Sequence, residues 1–345
     1  MISKIIAEDK IVKAKNLIYD AEKVAIVAHL SPDGDAIGAS MALYHFLYTI
    51  DKEATVIYPD SYPVFLSWMQ GINKSLIYDE NPTAVETVFN EADLIICVDF
   101  NEPKRAGSGL AELINNSKLD KILIDHHLNP SVDTWKVAIS YPQISSSSEL
   151  VFRLICRMGH AAEINKFCAE CIYTGMMTDT GGFTFNSNNT EIYYIIGELI
   201  RKGINKDEIY QRVYNTYTAD RMRLMGYLLA NKMRVYPEYN AALMVLSLEE
   251  QKQFNFQKGD SEGLVNLPLS INGVIFTVFM KEDTDKIKIS LRSQGTFPVN
   301  QVASTYFNGG GHLNASGGES YHSLEETIKI FEDILPTYKD LLTQA

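Results

Sequence analysis

Along the first half of the chain, short apolar runs alternate with longer segments whose apolar residues recur every three or four positions. The runs at 23–28, 54–58, 94–98, 121–125 and 136–140 are brief, branched at Cβ and free of a helical stripe, so they predict buried strands. Helical patterns over 36–48, 146–158 and 164–177 fall between or after them. That rhythm implies right-handed crossovers and an α/β fold: a doubly wound, mainly parallel sheet covered on both faces. Ahead of the first strand, Glu8, Asp9, Lys10, Lys13 and Lys15 are spaced among apolar residues as on an amphipathic helix.

From Thr190 to Lys232 the pattern is helical without a strand signal, broken at Gly203 and at Tyr214–Tyr217, and it reads as a connector. Beyond it the character changes. Strands are predicted at 241–247, 272–280 and 285–291, separated by turns such as Glu282-Asp283-Thr284-Asp285. A Gly-rich segment follows at 309–318, and one amphipathic helix from Leu324 to Leu342 closes a smaller α+β domain. With 345 residues the chain suits two cores better than one. The expected division is a catalytic domain over 1–189, a helical linker over 190–235 and a substrate-binding domain over 236–345.

Charged residues at 21% and hydrophobic ones at 46% are ordinary for a soluble globular protein. The net charge of −12 argues against a protein that coats long duplex nucleic acid by general electrostatics. Short anionic substrates stay admissible, because a bound metal pair inverts the local field. The N-terminal segment lacks the pattern of a secretion signal and no apolar run reaches membrane-spanning length, so no membrane contact is expected. Four cysteines do not make a disulfide framework in so long a chain. Cys97 and Cys156 fall in predicted core elements. Cys168-Ala169-Glu170-Cys171 has the spacing of half a zinc site but lies within a helical pattern, which favours a buried helix face. A reducing, cytoplasmic location fits.

The densest chemistry follows the first strand, in His29-Leu30-Ser31-Pro32-Asp33-Gly34-Asp35-Ala36-Ile37-Gly38. Pro32 stiffens this turn and Gly34 loosens it. Asp35 is expected as the cap of the helix that follows. Alone, the stretch reads equally as a metal site or as an Asp-rich helix cap. It does not read as a calcium loop, since Ile37 and Tyr44 stand where oxygen ligands are needed. Two further strands decide between those readings. Leu94–Val98 runs directly into Asp99, and Lys121–Ile124 into Asp125-His126-His127. Three strands delivering His or Asp to one sheet edge, where open α/β sheets bind ligands, point to a metal centre.

These residues resemble the DHH phosphoesterases, whose name is the triplet Asp125-His126-His127. The His29…Asp33-Gly34-Asp35 turn is similar to the family's first motif, Val98-Asp99-Phe100-Asn101 to its second and Thr178-Asp179-Thr180-Gly181-Gly182-Phe183 to its fourth. Ser290-Leu291-Arg292-Ser293 and Gly309–Gly318 resemble signatures of the DHH-associated C-terminal domain. The resemblance implies one divalent ion on His29, Asp33 and Asp99. It implies a second on Asp35, Asp99, His126 and Asp179, with Asp99 shared. Asp125 would orient a ligand from behind and His127 would face the substrate phosphate, so Asp99, Asp125 and His127 are the implied catalytic residues. Mixed imidazole and carboxylate ligation, like the family, favours Mn2+.

Arg292 can fork onto a phosphate, although a lone strand arginine also reads as a solvated charge. Gly310 and Gly311 would let backbone N–H groups approach an anion, with His312 at the edge, although such a segment also reads as a flexible turn. The size and both C-terminal signatures are most similar to bacterial oligoribonucleases (nanoRNases) that also dephosphorylate adenosine 3',5'-bisphosphate. The expected activity is therefore two-metal hydrolysis of short RNA oligonucleotides or that nucleotide bisphosphate, by hydroxide supplied between the metals. Linear di-AMP phosphodiesterase activity and a non-catalytic nucleotide or RNA sensor are the alternatives. A homodimer is the assembly considered.

Overall fold

Neighbouring residues along each strand go to opposite faces of one sheet, and that sorting builds the first part of the fold. The computed structural model describes residues 3–131 and 133–344. They divide into two compact units, Met1–Thr216 and Tyr217–Ala345. In the first, β1 (Lys23–Val27), β2 (Glu53–Tyr58), β3 (Leu76–Ile77), β4 (Leu94–Val98), β5 (Asp120–Asp125) and β6 (Val137–Ser140) form a wholly parallel sheet. Its order is β3-β2-β1-β4-β5-β6. The helices are α1 (Glu8–Asp20), α2 (Gly34–Thr49), α3 (Pro82–Glu91), α4 (Gly107–Asn116), α5 (Ser147–Arg157), α6 (Lys166–Asp179), α7 (Thr190–Arg201) and α8 (Lys206–Tyr214).

Val24, Ile26, Leu94, Ile96 and Val98 join one core with residues of α1, α2, α5, α6 and α7. Ala25, Val27, Ile95 and Cys97 join another with Val85 and Phe89 of α3 and Leu110 and Ile114 of α4. The crossovers through α2 and α4 thus lie on opposite faces, and the chain reverses direction across the sheet between neighbouring β1 and β4. A crevice opens at the carboxyl ends of strands at such a point. All five expected strands are present within a residue or two. The two-residue edge strand β3 is too short to leave a period in the sequence.

The helical stretch expected as a linker is not a body of its own. α7 and α8 bury Ile192, Ile195, Leu199, Ile209 and Val213 in the first core, whereas Leu224 and Leu228 join a core of the second unit. An amphipathic helix must cover its apolar face, and these two groups do so on different sides of the break at Thr216 and Tyr217.

The second unit contains α9 (Ala219–Tyr227), β7 (Arg234–Tyr236), β8 (Ala241–Leu246), α10 (Leu248–Gln253), β9 (Phe276–Glu282) and β10 (Ile287–Ser293), followed by α11 (Val299–Tyr306), β11 (Gly310–Gly311), β12 (Ala315–Ser320), α12 (Leu324–Ile334) and α13 (Lys339–Gln344). Its sheet runs β11-β12-β10-β9-β8-β7, with only β8 and β9 parallel. β9 starts later than expected because Val274 closes a turn onto the Ile271 carbonyl through Gly273, at φ +87°. The expected closing helix is interrupted by a 3-10 turn over Leu335–Tyr338, where Pro336 has no N–H to continue the ladder. No helix among the described residues is long and apolar enough to cross a membrane.

Candidate metal centre

Four elements end at one place in the first unit. His29 follows β1, Asp33 and Asp35 open α2, Asp99 directly follows β4, and Asp179 is the last residue of α6. Asp125 ends β5, with His126 and His127 next. The cap of α2 is Asp33 and not Asp35 as expected, because a cap must accept from N–H groups two and three residues ahead. Asp33 Oδ1 does so from Asp35 and Ala36, at 3.0 and 3.1 Å. Asp35, two residues on and still in the first turn, is thereby released to point inward, and is 1% exposed.

Asp99 is the centre of the group. Its Oδ2 lies 3.4 Å from His29 Nε2, which is also 3.8 Å from Asp33 Oδ1. Its Oδ1 lies 3.5 Å from His126 Nε2, which is 3.9 Å from Asp35 Oδ2 and 3.4 Å from Asp179 Oδ2. Two groups of potential donor atoms thus meet on the two oxygens of one carboxylate. Both imidazoles are oriented from behind. His29 Nδ1 is 2.9 Å from the Leu30 carbonyl and His126 Nδ1 is 3.2 Å from that of Ile144. A carbonyl only accepts, so each Nδ1 carries the proton and each Nε2 is turned to the carboxylates. Asp99 itself has φ +64°, a left-handed conformation that a non-glycine residue adopts at a cost of about 1–3 kcal/mol.

His29, Asp35, Asp99 and His126 are all buried. No lysine or arginine pairs with Asp33, Asp35, Asp99 or Asp179 among the described residues; their ionic neighbours are the imidazoles. Burial pulls the His29 pKa down, but hydrogen bonds to Asp33 and Asp99 outweigh it and raise it to about 10. His126 is raised too, against burial, by Asp179 and Asp99. Burial favours a protonated Asp99, yet His126 and His29 hold its carboxyl well below the usual range. Burial, then the charge of Asp99, lifts Asp35 well above it, and Asp179 reaches about 6, mainly through burial. Donor atoms of His29, Asp33 and Asp99, and of Asp35, Asp99 and His126, lie within 4.8 Å of one another, so the residues fit divalent ions.

Two segments of the chain carry family signatures. Residues 23–176 match the DHH family, N-terminal domain, and residues 240–337 match the DHHA1 domain. The chain belongs to the DHH family of phosphoesterases. An exopolyphosphatase-related protein from Bacteroides fragilis, known as a crystal structure, is 56% identical, with 99% of each chain covered and a TM-score of 0.94. The bifunctional oligoribonuclease and PAP phosphatase NrnA of Bacillus subtilis (strain 168) is 29% identical across 92% of this chain and 94% of its own. RecJ of Thermus thermophilus, crystallised with Mn2+, shares the fold at 14% identity, with a TM-score of 0.53 over 97% of this chain and 55% of its own.

In this DHH chain Asp125 brings a carboxylate oxygen within 4.8 Å of donor atoms of Asp99 and His127. Its Oδ1 is 2.7 Å from His127 Nδ1, so it orients the third residue of the triplet, and its Oδ2 is buried without a hydrogen-bond partner among the described residues. Three contributors went unrecognised in the sequence. Ser147 Oγ donates to Asp99 Oδ1 at 2.9 Å, and the Ser147 and Ser148 N–H groups donate to Asp35 at 2.6 and 2.9 Å. Ser146 and Glu149 have the spacing of a capping box, but only half the box forms. Ser146 caps Glu149, whose carboxylate turns to Ser145 and Arg153 instead. Gly175 on α6 is the third: a Cβ there would fall 1.9 Å from Ser148 Oγ and 2.8 Å from Asp35 Oδ1.

The predicted substrate residues Arg292, Gly310, Gly311 and His312 all lie in the second unit, on or beside β10 and β11. The Gly-rich segment is a close-packed hairpin and not an open loop. Gly310 pairs with Gly317 and Gly311 with Ser316. The N–H groups of Gly309 and His312 are committed to the carbonyls of Ala303 and Ala315. A Cβ at Gly309 would fall 2.0 Å from the Gly317 oxygen, so the glycines serve close strand approach. The cysteines are free thiols, with Cys97, Cys168 and Cys171 buried.

Proposed function

We propose that the chain is a two-metal phosphohydrolase that cuts short oligoribonucleotides to mononucleotides and removes phosphate from adenosine 3',5'-bisphosphate. The observation carrying this reading is the division of Asp99, one oxygen toward His29 and the other toward His126. His29, Asp33 and Asp99 would hold one divalent ion, and Asp35, Asp99, His126 and Asp179 the second. Mn2+ is the favoured metal, since imidazole joins carboxylate in both sets. The NrnA relative supports the substrate class.

When bound, paired dications bring the pKa of water toward neutrality and offset charge on phosphoryl oxygens. The chain's own part is orientation and exclusion. Asp99 and the two imidazoles exclude bulk water at the buried floor. Asp125 keeps a proton on His127 Nδ1 and so sets the direction in which that ring meets a phosphate. Arg292, Gly310, Gly311 and His312 would supply substrate grip, with the arginine reaching a phosphate bidentately. A cytoplasmic location and a homodimer belong to the same proposal.

The test is incubation of the purified chain with Mn2+ and RNA dimers to pentamers, and separately with adenosine 3',5'-bisphosphate. Mononucleotides and phosphate are the expected products. Absence of both, with Mn2+ bound by titration, overturns the reading. The name of the Bacteroides fragilis relative makes polyphosphate the control substrate.

A further inference from the structure

The segment from Ile144 to Glu149 touches three of the residues grouped around Asp99, though nothing in its own composition is a metal ligand except Glu149. The Ile144 carbonyl accepts from His126 Nδ1. The N–H groups of Ser147 and Ser148 each take one oxygen of Asp35. Ser147 Oγ donates to Asp99 Oδ1, the same oxygen that faces His126. Ser146, Ser147 and Ser148 are all 0% exposed.

What fixes the segment lies behind it. Glu149 Oε2 accepts from Ser145 Oγ at 2.6 Å, and Glu149 Oε1 from Arg153 Nε and Nη2 at 2.8 and 2.7 Å. Arg153 Nη2 also reaches Glu191 on α7 at 2.7 Å, and Glu191 receives both the N–H and the hydroxyl of Ser3. Arg153 is among the largest fully buried side chains, so its two carboxylate partners cannot be exchanged for water. The start of α5 is therefore pinned on one side by a buried ion pair and presents its donors on the other.

We propose that Ser147 is the positioning residue for Asp99. Its hydroxyl occupies one lone pair of Oδ1, fixing the rotation of the carboxylate so that the remaining lone pairs are turned to His126 on one oxygen and His29 on the other. This rests on the two-metal reading and deepens it, assigning the registration of the shared ligand to a serine 48 residues away in sequence.

The experiment is calorimetric titration of metal-free protein with Mn2+ alone, for wild type and for the Ser147→Ala, Ser147→Thr and Asp99→Asn variants, each checked by circular dichroism. Loss of a partner hydrogen-bonded to a metal ligand costs about 10–100-fold in metal affinity. Ser147→Ala is expected to lose that much on the weaker of the two binding steps. Ser147→Thr, which keeps the hydroxyl, is expected to stay within about threefold of wild type. Wild-type affinity in Ser147→Ala, with Asp99→Asn impaired, overturns the positioning role and leaves the two-metal reading standing. Wild-type affinity in Asp99→Asn as well overturns both. Should Ser147→Ala not fold, a loss in Ser147→Thr as large as that in Asp99→Asn would overturn the role, since keeping the hydroxyl would then not keep the site.

Discussion

Asp125 holds His127 through a single contact, Oδ1 to Nδ1 at 2.7 Å, in a position where the carboxylate is wholly buried and the imidazole is not. A buried carboxylate that meets a ring nitrogen sets which nitrogen keeps the proton, and so which one meets the substrate. The Asp125→Asn variant can present an amide N–H to that ring and invert the arrangement. Turnover is expected to fall about 10–100-fold while Mn2+ affinity stays near wild type, because the Asp125 carboxylate accepts its hydrogen bond from His127. Steady-state kinetics beside a metal titration checks this; equal loss in both would place Asp125 among the ligands.

Asp99 calls for the opposite result. Asparagine tolerates the left-handed backbone at φ +64° and matches the volume, so Asp99→Asn removes charge with little strain. A bound metal contributes several kcal/mol of charge stabilisation at the phosphoryl group, and each ~1.4 kcal/mol is tenfold, so activity should fall by about 10³ or more. Mn2+ stoichiometry should fall with it. A variant that still binds two ions would show that the two sets do not share this carboxylate.

The parts of this site legible in the sequence are those at strand ends. An apolar run followed at once by Asp99, or by Asp125-His126-His127, is a local signal, and the sheet order places such ends side by side. Asp179 was different: it ends α6, where the helical pattern is silent on chemistry, and only the family resemblance pointed to it. Ser147 left no trace because its partner is far away in sequence and serine at a helix start has an ordinary capping explanation. The cap of α2 falls at Asp33 and not at Asp35 for a related reason, since either carboxylate suits a cap and a two-residue shift at a helix end is decided by tertiary contacts. β11 and β12 were missed because glycine lowers strand propensity in general, while here it permits the close approach.

The charge balance of the cluster sets a pH dependence. His29, raised to about 10 by Asp33 and Asp99 against the pull of burial, stabilises the metal-free fold below its ordinary pKa, and that contribution is lost as pH climbs toward 10. Asp179, raised to about 6 chiefly by burial, acts in the same sense between its ordinary value and 6. Asp99, held low against burial by His126 and His29, acts oppositely, stabilising above its ordinary value and losing that as pH falls. Mn2+ must displace the imidazole protons, so its affinity should rise between about pH 6 and pH 9 with protons released. The increase in Tm on replacing EDTA with Mn2+ should grow over the same range. A constant increment, with no buffer dependence of the binding heat, would rule this out.

The last prediction concerns the seam that brings Asp35 and Asp179 together. α2 and α6 approach so closely at Gly38 that an added Cβ would lie 2.6 Å from the Cys171 carbonyl and 2.9 Å from Gly175 Cα and N. These are backbone atoms, so nothing can rotate aside and the helices must separate. Gly38→Ala should therefore cost about 1–3 kcal/mol, despite the better helix propensity of alanine. For a unit of this size that is about 2–4 °C in Tm per kcal/mol. Because α2 carries Asp35 and α6 ends in Asp179, the same separation should weaken Mn2+ binding in the folded variant. Gly197 on α7 is the control, with nothing within 4 Å of an added Cβ. There Gly197→Ala should raise stability by about 0.5–1 kcal/mol and leave Mn2+ binding unchanged. Calorimetric melting of both variants, with and without Mn2+, separates propensity from packing. If Gly38→Ala melted at or above the wild-type temperature with metal affinity intact, the α2–α6 contact would not be what sets the spacing of the two carboxylates.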